Sequence, residues 1–218
     1  MLNNKKKTIC INILFILSIS LIFSCKNKDH DLQEIDLSHV LDEQLYYMYN
    51  KILLPYPSPA NETDNKLPLP KYGIMGLEGL NKTMSKIKTS SIKNHFEKGY
   101  RYLFTNKPFA RDLKKAKIHF QTILEIDKQN CHGYYGLALT NLLTPSKHRK
   151  FLKRALGLFL KTVEINPDHG DAHYMLAVIF SFFDKPKSFF HYQKSIALGV
   201  KDEKKIGEAN FDDIYYNN

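Results

Sequence analysis

KTVEINPDHGDAHYMLA, residues 161–177, is the stretch whose reading decides the fold. It joins the end of one helical segment to the start of the next across Pro167, a residue that cannot continue a helix. Reading upstream from it, the same residue types return at a fixed interval. His95, Tyr134 and His173 are spaced by 39 residues, as are Gly99, Ala138 and Ala177, and as are Tyr102, Asn141 and Phe180. Lys98, Leu137 and Leu176 precede the small residue each time. A second set follows each of the first: Ala116 with Phe120, Ala155 with Phe159, and Ser188 with Tyr192, each pair four apart. Residues four apart share one helical face, so the spacing predicts three units of two helices. Small side chains let paired backbones approach, and the aromatic side chains fill the space beside them. No strand-like alternation persists anywhere in the chain.

These residues resemble the tetratricopeptide repeat, whose signature runs aromatic, Leu-Gly, Tyr, Ala-x-x-x-Phe and Pro. The second unit matches best, with Tyr134, Leu137-Ala138, Ala155, Phe159 and Pro167. Unit one has Lys128 in place of the proline, and unit three substitutes His173, Ser188 and Tyr192. Units one and two are longer than the family pattern, with the extra residues at 105–109 and 144–147. The resemblance spans residues 91–200 and implies an all-α fold: a short α-solenoid of about three helix-turn-helix units, with an N-terminal helical extension and a C-terminal cap. A single unit cannot bury its own apolar face, and about three are needed for a stable stack. Residues 201–218 are placed to close it.

In this family the first helix of each unit lines a concave groove. Carried over by register, the resemblance assigns that groove Phe96, Tyr100, Leu103 and Phe104 in unit one. Unit two supplies His132, Tyr135, Leu139 and Leu142, and unit three supplies Asp171, Tyr174, Val178 and Phe182. The lysines and asparagines of a carboxylate clamp are replaced here by Tyr, Phe and Leu. A large open apolar face is unusual in a folded protein. Its occupant is therefore a partner segment, an apolar ligand, or the chain's own residues 37–90.

The N-terminus reads as a targeting segment. Lys5, Lys6 and Lys7 precede an apolar run from Thr8 to Ser24 that stops at Cys25 and a polar stretch. The run falls short of the roughly 20 apolar residues of a comfortable transmembrane helix, and its layout is that of a signal peptide. The alternative is an uncleaved N-terminal anchor helix. Ile22-Phe23-Ser24-Cys25 resembles a bacterial lipobox, which implies cleavage of residues 1–24 and lipidation of Cys25. Burial of more than one acyl chain, at roughly 0.8 kcal/mol per methylene, would hold the protein on its membrane. Residues 25–90 then comprise a tether, a helix over 37–53 and a Pro-rich loop over 55–72. Gly73, Gly76 and Gly79 match neither a dinucleotide fingerprint nor a P-loop and belong to a loop or a helix start.

Little else suggests chemistry. Of three cysteines, Cys10 leaves with the leader and Cys25 is modified, so Cys131 has no partner for an intrachain disulfide. His169 and His173 lie four apart with Asp171 between them, a spacing that can hold a metal, but the register gives His173 to packing. No metal, cofactor or catalytic constellation is expected, and no HExxH motif, nucleophile elbow or phosphate loop appears. The formal net charge is +10, of which the leader lysines carry +3. The basic run Lys147, His148, Arg149, Lys150, Lys153 and Arg154 reads as a solvated helix face, with no nucleic-acid partner expected. The expectation is a lipid-anchored, non-enzymatic adaptor of the bacterial cell envelope, at the periplasmic face or the cell surface. It would engage another envelope protein through the aromatic groove. A ligand-binding lipoprotein serving a transport system and a surface adhesin are the alternatives.

Overall fold

The computed structural model describes residues 37, 77–104, 112–144 and 149–202. The leader, Cys25, the helix expected over 37–53 beyond Leu37 itself, and the loop at 55–72 lie outside these residues. So do residues 105–111, 145–148 and 203–218. The described residues are all-α and contain no strand. They form α1 (Leu77–Lys86), α2 (Ser90–Phe104), α3 (Leu113–Ile126), α4 (Cys131–Leu142), α5 (Arg149–Ile165), α6 (Gly170–Phe180) and α7 (Lys185–Ala197). Gly79 falls in the first turn of α1.

Each helix packs on the next in chain order, and α2 also packs on α4. The 39-residue series beginning at His95, Gly99 and Tyr102 lies on α2, α4 and α6. The Ala/Phe pairs and their Ser/Tyr counterpart lie on α3, α5 and α7. The connections from α3 to α4 and from α5 to α6 are the same turn built twice. Asp127 and Asn166 each bond back to the helix, at Ile123 O and Thr162 O, and each accepts through its side chain the N–H two residues on. Asn130 N then donates to Asp127 O, and His169 N to Asn166 O, both at 3.1 Å. Such side-chain turns suit Asp and Asn, and Lys128 occupies the place of Pro167 without changing the bonding.

The caps follow the same logic. Asp112 and Asp184 accept from the third residue of α3 and α7, at 2.9 Å and 3.0 Å. Asn130 accepts from His132 N and Gly133 N at the start of α4. At the equivalent point His169 Nδ1 takes the N–H of Ala172 at 3.2 Å. Each cap satisfies a backbone donor that the helix leaves free.

The core is built on close approach. Phe120 of α3 is fully buried between α2 and α4. A Cβ on Gly99 would stand 2.8 Å from its ring, and one on Gly136 would enter the ring outright. Burying a side chain of this size stabilises by about 1.5–3 kcal/mol. Gly136 has no place in the 39-residue series and was not anticipated. In unit three Ser188 replaces alanine, and its buried hydroxyl donates to Ala177 O at 2.7 Å, so the substitution leaves no orphaned polar group.

All eleven residues of α6 are buried, as suits a helix that is apolar around most of its circumference. The turn after α7 covers its first residue. Gly199 adopts φ 76°, and the bonds Gly199 N to Ile196 O and Val200 N to Ser195 O complete a Schellman cap. The turn sets Val200 and Leu198 directly over Gly170. Asp202 then accepts Tyr174 Oη of α6 at 3.0 Å and Tyr192 Oη of α7 at 3.1 Å.

Candidate functional site

Of the twelve side chains assigned to an open groove, eleven are interior. Phe96, Tyr100, Phe104, Tyr135, Leu139, Tyr174 and Val178 are none of them more than 4 % exposed. Phe96 meets Phe120 and His132 edge-on, Tyr100 packs on Phe104 with ring centroids 4.7 Å apart, and Tyr135 packs on Phe159 and His169. Phe182, half-buried, lies beyond the end of α6 in the turn to α7. These side chains are core, not a free surface; spacing along a helix says which way it faces but not what covers it. Leu37 is buried as well, at 5 % exposure.

Part of the cover is α1. Lys82, Thr83 and Lys86 share one pocket with His132 in the first turn of α4 and with His169, Gly170 and Asp171 at the start of α6. His132 and Asp171 are positions that the resemblance assigns to a groove, and in the structure they share this pocket with residues of α1. Lys82 Nζ stands 4.0 Å from the Asp171 carboxylate, and Lys201 Nζ stands 3.8 Å from Glu78. These are long pairs, with Lys82 half-buried and Lys201 exposed, and they add little stability. Leu80 supplies the buried apolar contact of α1.

The pocket is electrostatically uneven. Burial, reinforced by Lys86, lowers the His132 pKa to about 4. Burial, with His132 and Lys86 behind it, lowers that of His169 to about 3. Burial raises Asp171 despite the nearby charges of Lys82 and Lys86. Burial also pushes the Tyr135 phenol well up, with Asp171 adding to the effect. The His169 tautomer is set by the backbone. Its Nδ1 accepts from Ala172 N, so in the neutral ring the proton sits on Nε2. That Nε2, His132 Nδ1 and Tyr135 Oη are buried without a hydrogen-bond partner. Their rings are neighbours, with centroids 5.6 Å apart for His132 and His169 and 4.7 Å for Tyr135 and His169.

His169 and His173 do not converge. His173 Nδ1 pairs with His191 Nδ1 at 2.8 Å, and its Nε2 faces Pro167 O at 3.0 Å. The carbonyl requires a proton on His173 Nε2, so His191 donates and His173 accepts between the two Nδ1 atoms. A second pair, His95 and His119, repeats the contact at 3.1 Å in unit one. Neither pair was anticipated. The legible signal was that His119 and His191 each stand immediately before the aromatic of the second helix. Cys131 is half-buried, accepts a long 4.0 Å contact from Asn166, and has its thiol pKa raised by burial. It is therefore a neutral thiol, without the thiolate character of a nucleophile. Of the basic run, Lys150 and Arg154 are exposed on α5 and Lys153 is partly covered, while Lys147 and His148 lie outside the described residues.

No protein-family model, curated protein or solved structure matches the chain. Among the described residues no helix is long and apolar enough to cross a membrane.

Proposed function

We propose that this chain is a non-enzymatic adaptor of the bacterial cell envelope, built on a tetratricopeptide-like stack and tethered through a lipidated Cys25. In this reading the face that α1 borders, at the starts of α4 and α6, engages a segment of another envelope protein, and α1 stands in for that segment until the partner displaces it. The observation that carries the reading is the placement of α1. Ten-residue α1, whose described anchors are the buried Leu80 and Thr83 and two long ion pairs, borders the starts of α4 and α6. An element held this lightly is readily exchanged for a competing helix that presents a similar apolar face. The twice-built turn at 127–130 and 166–169 supports the repeat reading. The basic leader and the cysteine at its end support the tether.

The test loosens α1 by truncating its own buried leucine. Crosslinking in intact envelopes would compare wild type with Leu80→Ala, after circular dichroism has shown equal helicity. The adaptor reading expects Leu80→Ala to capture one specific protein more strongly, and a peptide of residues 77–86 to compete it away. Equal capture by both chains, or capture that the peptide leaves unchanged, would sink the groove reading. The tether is tested separately by Cys25→Ser, which should abolish incorporation of labelled fatty acid and release the protein from the membrane fraction.

A further inference from the structure

The described helices sort into two layers. α2 packs on α4, and α4 meets the start of α6 where the rings of His132 and Tyr135 lie beside that of His169. The first helices of the three units therefore form one layer. α3 packs on α2 and α4, α5 on α4 and α6, and α7 on α6, which puts the second helices in the other. α1 packs on α2 and shares its pocket with the starts of α4 and α6, so it belongs with the first layer. Among the described residues, no helix packs on the outer side of the second layer.

Charge and apolar exposure divide along the same line. α4 carries no charged residue and α6 only Asp171. α3, α5 and α7 carry three, five and three lysines and arginines, against one, one and no acidic residue. Lys114, Lys117, Lys150, Arg154 and Lys187 are among those that are exposed. Opposing charge is sparse: Glu125 on α3, and Glu164 on α5 at 3.4 Å from Lys161. Lys187 and Lys194 reach Asp184 and Asp168 in solvent-facing pairs, which contribute little and exchange readily. Exposed apolar side chains scattered singly need no explanation. Here Ile118 and Ile126 on α3, and Phe190 and Ile196 on α7, fall on the layer that carries the bases. Ile118 follows Lys114 by four residues, and Phe190 stands three residues after Lys187 and four before Lys194, so base and apolar side chain share a helical face.

We propose that the outer side of α3, α5 and α7 is a docking surface for an anionic phospholipid bilayer, with its lysines and arginines on the headgroups and Ile118 and Phe190 at the acyl boundary. Protein interfaces are depleted of lysine at their centre, whereas bases interleaved with apolar side chains suit the charged headgroup region and the hydrocarbon beneath it. The proposal rests on the membrane tether of the proposed function, which keeps this surface within reach of lipid, and it adds an orientation. The second layer faces the bilayer, and α1 with the starts of α4 and α6 faces away from it, toward a partner.

The chain contains no tryptophan, so a single introduced one reports without background. Phe190→Trp on the second layer and Ser85→Trp on exposed α1 would each be made in the full chain. Both are mixed with phosphatidylcholine vesicles, with and without phosphatidylglycerol, that carry brominated acyl chains. With phosphatidylglycerol the emission of Phe190→Trp should move to the blue and be quenched, while Ser85→Trp stays in water. Added to Phe190→Trp, Lys114→Gln and Lys117→Gln should each lower the ratio of quenched to free protein about fivefold. Lys86→Gln with Lys88→Gln removes the same charge beside the first layer and should leave the ratio unchanged. The proposal is overturned if the two tryptophans respond alike, if quenching is equal without phosphatidylglycerol, or if both charge variants weaken it equally, which reduces the effect to net charge. It is also overturned if duplex DNA at matched charge abolishes the quenching, which assigns the basic layer to nucleic acid. A chain that takes up no labelled fatty acid would sink the tether alone, because vesicles added in excess still read the same ratio.

Discussion

His173 Nδ1 lies 2.8 Å from His191 Nδ1, across the interface of α6 and α7. The proton between those atoms belongs to His191, so the contact requires that His173 Nδ1 keep its lone pair, which holds while His173 is neutral. Burial enforces this, with His173 adding to the effect on His191, whose pKa falls to about 3, while His173 itself is lowered. Around the pair, Lys187 and Lys194 oppose further positive charge, and Asp184 and Asp168 favour it.

The pair, with His132 and His169, makes stability depend on pH with a definite sign. The unfolded chain takes up protons near the ordinary histidine value of 6.5, whereas folded His132 waits until about 4 and His169 and His191 until about 3, with His173 shifted in the same direction. Their contribution is complete above 6.5 and is lost as pH falls through that window. Each contributes a slope of up to about 1.4 kcal/mol per pH unit. Urea midpoints measured across this window should fall steeply on acidification, and His191→Phe, which keeps the stacking on Phe180, should flatten the curve. A level midpoint across the window would contradict the neutral-histidine account.

Phe120 leaves no room on either side. Gly136→Ala drives a methyl group into overlap with the edge of its ring and should cost about 1–3 kcal/mol by overpacking. Phe120→Leu in the same chain should recover part of that loss, because the two residues are in contact and their effects do not add. Denaturant unfolding of the two single variants and the double variant reads the coupling directly; strict additivity would argue against the contact.

Asp202 joins α6 and α7 through the hydroxyls of Tyr174 and Tyr192. Asp202→Ala should destabilise by about 1–2 kcal/mol, in line with hydrogen bonds to a charged acceptor. Tyr192→Phe should cost less than that. Thermal unfolding of the full chain would show it, and an unchanged midpoint for Asp202→Ala would remove the link.

Lys128→Pro should be tolerated or mildly stabilising, by up to about 1 kcal/mol through the unfolded state. The matching turn already holds Pro167, and Asp127 before it is extended at φ −145° and ψ 100°, as a residue preceding proline must be. The contact Tyr134 Oη to Lys128 O uses only the carbonyl and survives the change. A clear loss of stability in urea would mean that the two turns are not equivalent.

The 39-residue period was enough to place α2 to α7 on the chain. Helical registry, small-against-aromatic pairing and turn chemistry are local properties, and each leaves residues at fixed spacings. Even the departures proved legible in kind: Ser188 for alanine works because a carbonyl lies within reach of its hydroxyl. The register also named His132, Asp171 and Tyr135 as neighbours on one face, and these residues do border the pocket or pack beside it.

Three things were settled only by the tertiary structure. One is that α1 shares a pocket with the starts of α4 and α6, since α1 lies outside the 39-residue series whose spacing could report its position. Another is that the groove's aromatics are core, because burial depends on elements distant in sequence and not on the helix that carries the side chain. The last is the state of the histidines. Whether a ring donates, accepts or stands unpartnered is decided by single atoms brought within about 3 Å across separate helices, a distance that no spacing along the chain encodes.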